Sequence, residues 1–285
     1  MPGKYTVRPM RREELDSAVQ WAEREGWNPG RFDAANYFSA DPEGFFTGEL
    51  DGKLISTISL VKYGDAFAFL GFYIVAPEFR GRGFGLQIWQ EACRSAGTRT
   101  VGLDGVMAQQ ENYRKSGFIF QYSHIRCRGV AGETAAAGPD DRLEPLSALP
   151  FETLAAYDAV HFGAERMGFL AGWISQSESR GLLIRSAPGK PAGYGIIRPA
   201  AQGWRIGPLF ADTPELADAL LCGLIRELPP GTEYFIDIPE TNGNAEVLMR
   251  RHRLEPGFKT ARMYANGTLT LPVSEIYGTT TLELG

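Results

Sequence analysis

The stretch from Gly71 to Gly97, GFYIVAPEFRGRGFGLQIWQEACRSAG, constrains the fold more than any other part of the chain. Phe72-Tyr73-Ile74-Val75 is aromatic and β-branched, which suits a buried strand. Pro77 has no N–H to donate and ends the ladder. Arg80-Gly81-Arg82-Gly83-Phe84-Gly85 follows, and after it Gly85, Ile88, Trp89, Ala92, Cys93 and Ala96 recur at helical spacing on one apolar face. A strand therefore leads through a basic, glycine-rich turn into a helix N-terminus. Such a terminus presents unpaired N–H groups and the positive end of the helix dipole. The glycines let a ligand approach the backbone and the arginines add full charge, so the turn suits phosphate, most naturally pyrophosphate.

With those residues in view, Val75-x-Pro77-x-x-Arg80-Gly81-Arg82-Gly83-x-Gly85 resembles motif A of the GNAT superfamily, the Gcn5-related N-acetyltransferases. The resemblance implies that the loop Arg80, Gly81, Arg82, Gly83, Phe84 and Gly85 holds the pyrophosphate of acetyl-CoA. It also implies a bulged strand whose Ile74 and Val75 pair with the pantetheine arm. Tyr113-x-x-x-Gly117-Phe118 is similar to the family segment whose tyrosine protonates the leaving thiolate, which makes Tyr113 the implied catalytic residue. One departure stands out: relatives carry Asn-x-x-Ala-x-x-Leu before that tyrosine, and here Val106, Gln109 and Asn112 occupy those places. Asn112 is therefore not carried over as a CoA contact. A dinucleotide fold, with Asp104 as the ribose acid, fails because the glycines do not follow the strand directly and Ile88 stands where a small third residue is needed.

The net charge of −5 argues against nucleic acid or an anionic membrane as the main partner, and 44% hydrophobic content is ordinary for a soluble chain. No long apolar run is present, and Met1-Pro2-Gly3-Lys4 opens no signal peptide, so a cytoplasmic protein is expected. Cys93, Cys127 and Cys222 are odd in number and widely spaced; Cys93 and Cys222 fall on apolar helix faces, which points to buried thiols rather than a disulfide or a metal site. No metal is expected.

In chain order, the first half reads as a strand at Tyr5–Pro9, helices at 11–25 and 31–39 around the turn Gly26-Trp27-Asn28-Pro29-Gly30, and strands at 44–50, 54–61 and 67–75. Asp51-Gly52 signals a hairpin. After the loop and its helix come a strand at 100–104, a helix at 107–116 and a strand at 118–127. Residues 131–140 read as a linker, low in large apolar residues. Beyond it the plan repeats: a strand near 142–146, a helix at 150–160, and strands at 181–186, 193–198 and 204–210. A helix follows with Leu216, Leu220, Leu224 and Leu228 at i+4, then a strand at 234–238 and a helix at 244–252. The loop chemistry does not repeat. Pro208-Leu209-Phe210-Ala211-Asp212 has no glycines and places an acid at the helix start, and Met249 stands where the tyrosine would be.

The expected fold is α/β (α+β), as two tandem GNAT-like domains, each a mixed, mostly antiparallel sheet flanked by helices. The catalytic domain spans 1–130 and a divergent copy without the cofactor motif spans 141–285. This plan most resembles the YitH-like acetyltransferases within the superfamily. The implied activity is acyl-CoA-dependent N-acyl transfer, with acetyl-CoA as co-substrate and a small-molecule amine as acceptor; a non-catalytic CoA-sensing or scaffold protein is the alternative. The sequence leaves the oligomeric state open. Trp27 and Asn28 are the candidate acceptor-recognition groups, with the acceptor bound between the halves. Glu49 reads either as a general base or as a solvated strand edge, and His161, Glu165 and Arg166 as lining groups or a solvated helix face.

Overall fold

The computed structural model describes residues 3–133 and 140–285; most of the expected linker, 134–139, lies outside them. The first half runs β1 (Tyr5–Pro9), α1 (Arg12–Arg24), α2 (Asp33–Ala40), β2 (Phe45–Leu50), β3 (Lys53–Tyr63), β4 (Phe67–Val75), α3 (Phe84–Ser95), β5 (Thr100–Val106), α4 (Gln110–Lys115) and β6 (Ile119–Val130). The second runs β7 (Glu144–Pro145), α5 (Phe151–Phe162), α6 (Met167–Ile174), β8 (Arg180–Ala187), β9 (Lys190–Pro199), β10 (Trp204–Ala211), α7 (Pro214–Arg226), β11 (Glu233–Pro239), α8 (Gly243–Arg251), β12 (Glu255–Ala265) and β13 (Ile276–Gly278). Asp51 and Gly52 both have positive φ, the backbone that a two-residue hairpin between β2 and β3 demands. No helix among the described residues is long and apolar enough to cross a membrane.

The structure departs from the sequence reading at three places. The expected helix at 107–116 is a 3-10 turn at Met107–Gln109 followed by the short α4. The first strand of the second half pairs with β8 only at Glu144 and Pro145. Helix α6, MGFLAGWI, is absent from the sequence reading because it carries no polar stripe to mark a period. It is a short apolar helix packed on α2, with Phe169, Leu170 and Trp173 buried. Each such side chain contributes roughly 1.5–3 kcal/mol of burial.

All the strands form one sheet, ordered β1-β2-β3-β4-β5-β12-β6-β11-β10-β9-β8-β7, with β13 against β10. The order at the centre is the decisive feature. β12, from the second half, lies between β5 and β6 of the first, and β6 lies between β12 and β11. Each half thus lends its last long strand to the other. Directly opposed residues on the lent strands carry buried ion pairs: Arg262 of β12 faces Asp104 of β5 at 2.7 Å, and Arg126 of β6 faces Asp237 of β11 at 2.7 Å. A further pair, Arg198 of β9 with Asp33 of α2 at 2.9 Å, joins the halves behind the sheet. Breaking one partner of such a pair strands a buried charge and costs about 3–5 kcal/mol. The seam is therefore specific as well as apolar.

A candidate acyl-CoA site in the first half

β4 and β5 pair in parallel only from Phe67–Leu70 against Thr100–Leu103. Beyond that point they part. The cause is a bulge: on β3, Thr57 faces Ile74 and Ser59 faces Gly71, so Phe72 and Tyr73 together oppose one residue. Phe72 sits at φ 47, a left-handed conformation that costs a buried non-glycine residue about 1–3 kcal/mol, and Thr57 Oγ1 donates to its carbonyl at 2.9 Å. The opening holds a cavity of about 430 Å³.

The glycine-rich loop closes one end. Gly81 and Gly83 have φ of 73° and 84°, and a Cβ at either would meet nothing within 4 Å. Gly83 is the N-cap of α3, and no side chain caps that terminus. The first amides of α3 therefore face an open, unobstructed space with the positive end of the helix dipole behind them. A diphosphate fits there. Arg80 fastens the loop, donating through Nε to the Val75 carbonyl at 2.8 Å and through Nη2 to Glu25 at 2.5 Å.

Tyr113, from α4, lines the cavity opposite the bulge, its ring stacked on Trp89 with centroids 5.5 Å apart. Burial, with a smaller contribution from Tyr73, holds its hydroxyl pKa well above the ordinary tyrosine value. It is thus a neutral O–H, able to donate to a developing thiolate.

Of the residues singled out from the sequence, Ile74, Val75, Arg80, Gly81, Gly83, Gly85, Tyr113 and Trp27 all border this cavity. Arg82 and Phe84 do not. Arg82 lies over the rings of Phe79 and Phe84, and Phe84 packs on Tyr5 at 4.8 Å. Asn28 is corrected: both ends of its side chain are consumed by the Gln202 backbone, at 2.8 and 3.0 Å, so it pins the halves together instead of meeting a ligand. Glu49 is neither a base nor a solvated edge, because it pairs with Arg8, which also holds Glu14. His161 and Arg166 are buried, on Glu275 at 3.1 Å and Asp158 at 2.7 Å, and Glu165 is exposed; none borders the cavity.

Several lining groups escaped the sequence reading. Phe258 and Thr260 come from β12, and Leu282 and Glu283 from the C-terminal tail. In β12, Gly257 and Phe258 are extra residues opposite Arg126, and this bulge accompanies the turn of the Phe258 ring toward the cavity. Glu25 also lines the wall, as does Asp104, which the sequence suggested only for a rejected ribose role. Burial acts to raise the Asp104 pKa, but Arg262 and His124 outweigh it and hold the carboxyl at about 2. Asp104 is therefore a structural anion and a poor base. A buried cluster elsewhere, where Asp218, Cys222 and His252 converge within 4.8 Å, closes on itself: Asp218 is shared by His252 at 2.6 Å and Arg251 at 2.9 Å.

The second half has the same bulged opening with other contents. β10 and β11 pair only over Trp204–Ile206, and Gly207-Pro208 bulge opposite one residue of β9. β13 then lies antiparallel on β10 at Leu209 and Phe210, and Thr279 N–H donates to the Asp237 backbone carbonyl on β11 at 2.9 Å. The opening is thus filled by the chain itself. Helix α7 is capped by Thr213, with Asp212 just ahead of it.

Comparison with known proteins agrees with this geometry. Residues 10–118 match the Acetyltransferase (GNAT) family and residues 154–278 match an Acetyltransferase (GNAT) domain. The chain is 32% identical to the holothin acyltransferase of Pseudoalteromonas sp. (strain SANK 73390), over 99% of this chain and 95% of that one. It is 26% identical to the N-acetyltransferase YitH of Bacillus subtilis (strain 168), over 69% and 70% of the two chains. A solved chain from Pyrococcus horikoshii superposes with a TM-score of 0.83 at 19% identity, covering 99% and 96%. The chain belongs to the GNAT acyltransferases, with two such domains in tandem. It is an enzyme of acyl-CoA-dependent acyl transfer, and nothing among these relatives supports a non-catalytic alternative.

Proposed function

We propose that the protein transfers the acetyl group of acetyl-CoA to a small amine by direct attack, using only the cavity of the first half. The observation that carries this reading is the parting of β4 from β5 beside an uncapped, glycine-lined helix N-terminus. The diphosphate lies on the amides of 81–86, and the pantetheine runs along Ile74 and Val75 in the place of a missing strand neighbour. The thioester then falls between the bulge and Tyr113. These contacts bind ground state and transition state alike, and orientation supplies most of the acceleration. Tyr113 gives its proton to the departing thiolate.

The acceptor enters between Trp27 of the first half and Phe258 of the second, two aromatic walls suited to an apolar amine. Glu25 also borders the cavity, where its pairing with Arg80 at 2.5 Å holds the glycine loop in place. The relative named holothin acyltransferase lends weight to acyl transfer as the reaction, and we take the acceptor to be a small-molecule amine and the location to be cytoplasmic. The test is a screen of primary amines with acetyl-CoA, following release of free thiol. Turnover on an amine supports the reading; tight CoA binding with no turnover across alkyl and aryl amines overturns it.

A further inference from the structure

The last residues of the chain have no regular secondary structure, yet Thr279 to Leu284 are each at most 8% exposed. They are held from both halves. Arg166 Nη2 donates to Thr280 Oγ1 at 2.8 Å, the Tyr37 hydroxyl meets Thr281 Oγ1 at 3.2 Å, and the Tyr63 hydroxyl donates to the Leu284 carbonyl at 3.0 Å. Arg205 stands 3.7 Å from the Glu283 carboxylate.

Two glycines make room for this path, each at the bulge of its half. A Cβ on Gly71 would lie 1.9 Å from the Glu283 carbonyl, and one on Gly207 would lie 2.5 Å from the carbonyls of Thr279 and Thr280. Neither glycine has positive φ, so backbone conformation does not require them; the tail does. The tail leaves the second opening, which β13 fills, and crosses to the bulge of β4. There Leu282 and Glu283 become wall of the first cavity.

We infer that this C-terminal tail is the specificity wall of the acceptor site, with Leu282 as the side chain that sets how large an amine can reach the thioester. The inference rests on the proposed amine acetylation. The carboxylate of Glu283 accepts from the Thr281 and Tyr37 hydroxyls and faces Arg205, so its part is to hold the tail in place. Leu282 lines the cavity with no such side-chain ties among the described residues, and its side chain is apolar. Acceptors should therefore be selected by size and shape at this end, and CoA, bound from the loop end, should be indifferent to it.

The experiment measures acetyl-CoA-dependent thiol release with a graded set of linear, branched and aryl primary amines, in the full-length protein and its Leu282→Ala and Leu282→Trp variants. CoA affinity is measured by calorimetry alongside. The expected result is opposite shifts. Leu282→Ala gains at least about tenfold in kcat/KM for the bulkier amines, and Leu282→Trp loses them first, while the CoA Kd stays within about threefold in both. If the wild type acetylates amines and both variants keep its size profile, or if CoA affinity falls in step with activity, the inference fails alone. A wild type that binds CoA and acetylates none of the amines overturns the functional reading and this inference with it. Gly71→Ala provides a second handle, since displacing the tail should broaden the amine profile as Leu282→Ala does; an unchanged profile there would also count against it.

Discussion

The two openings, one in each half, differ in what fills them and in little else. Both arise where a parallel strand pair parts after three or four residues, at a bulge of two residues opposite one. In the first half the strand faces an open cavity and an uncapped helix whose loop carries two positive-φ glycines. In the second, β13 takes the vacated side of β10, and the helix is closed by Thr213 with an acid before it. Backbone geometry makes the room, and side chains and the chain's own end decide whether a cofactor can use it. The central seam shows the opposite behaviour. There the halves remain alike down to matching Arg–Asp pairs on the strands they exchange.

The sharpest way to break this contrast is to count ligands. One CoA per chain is expected by titration calorimetry. Gly83→Asp, which adds a Cβ and a negative charge where the diphosphate lies, should weaken binding at least about 100-fold, beyond ready detection. Asp212→Asn in the second half should leave stoichiometry and affinity unchanged. Two equivalent sites in the wild type would end the comparison.

The likeness of the seam is tested by Asp104→Asn and Asp237→Asn. Asp104→Asn leaves Arg262 buried without its charge partner and Asp237→Asn does the same to Arg126 and weakens the pairing of Arg205; each should cost about 3–5 kcal/mol in denaturant unfolding. Similar values would sharpen the picture of two equivalent joints, and a near-zero cost at either would break it. The pH dependence follows the same residues. The Asp104 carboxyl sits at about 2 in the folded protein against an ordinary 3.8, so its contribution to stability is present above about pH 4 and lost as pH falls toward 2. Asp237 is depressed in the same direction, through Arg126 and Arg205 acting against its burial. Asp104→Asn should therefore flatten the acid limb of the stability curve.

Chemistry should respond on one side only. Tyr113→Phe should lower kcat by about 10²-fold with little change in the KM for acetyl-CoA, measured by thiol release. If more than about a third of kcat remains, Tyr113 only packs against Trp89. Met249→Tyr, at the corresponding place in the second half, should restore nothing. The smallest effect is expected at the closed terminus. Thr213→Ala removes the cap of α7 and should cost about 1 kcal/mol in stability, with CoA affinity untouched.

Much of this was legible in the residues. The strand, loop and helix from Gly71 to Gly97, the repeat of the plan after residue 140 and the loss of the loop in the second copy all follow from local patterns of period, charge and glycine. What was not legible is instructive. Asn28 looked like a recognition group because the turn from Gly26 to Gly30 offers only it and Trp27 as side chains able to recognise a ligand; its partner, the Gln202 backbone, is distant in sequence. His161 and Arg166 looked solvated because their burial depends on Glu275, Asp158 and Thr280, contributed by other elements. Phe258 and Leu282 carried no functional signal, since an apolar side chain looks the same in a core and in a ligand wall.

By itself the sequence determined the glycine loop and the helix terminus that we propose to hold the cofactor. Phosphate recognition by a glycine loop and a helix terminus is built from consecutive residues, whose conformational needs and charges are written side by side. Only the tertiary structure decided the acceptor end, the exchange of β6 and β12, and the path of the tail between the two bulges. These depend on pairings between residues more than a hundred positions apart, such as Asp104 with Arg262 and Gly71 with Glu283. Local propensity says nothing about such partners, because the free energy that selects them comes from burying and pairing groups that meet only once the chain has folded.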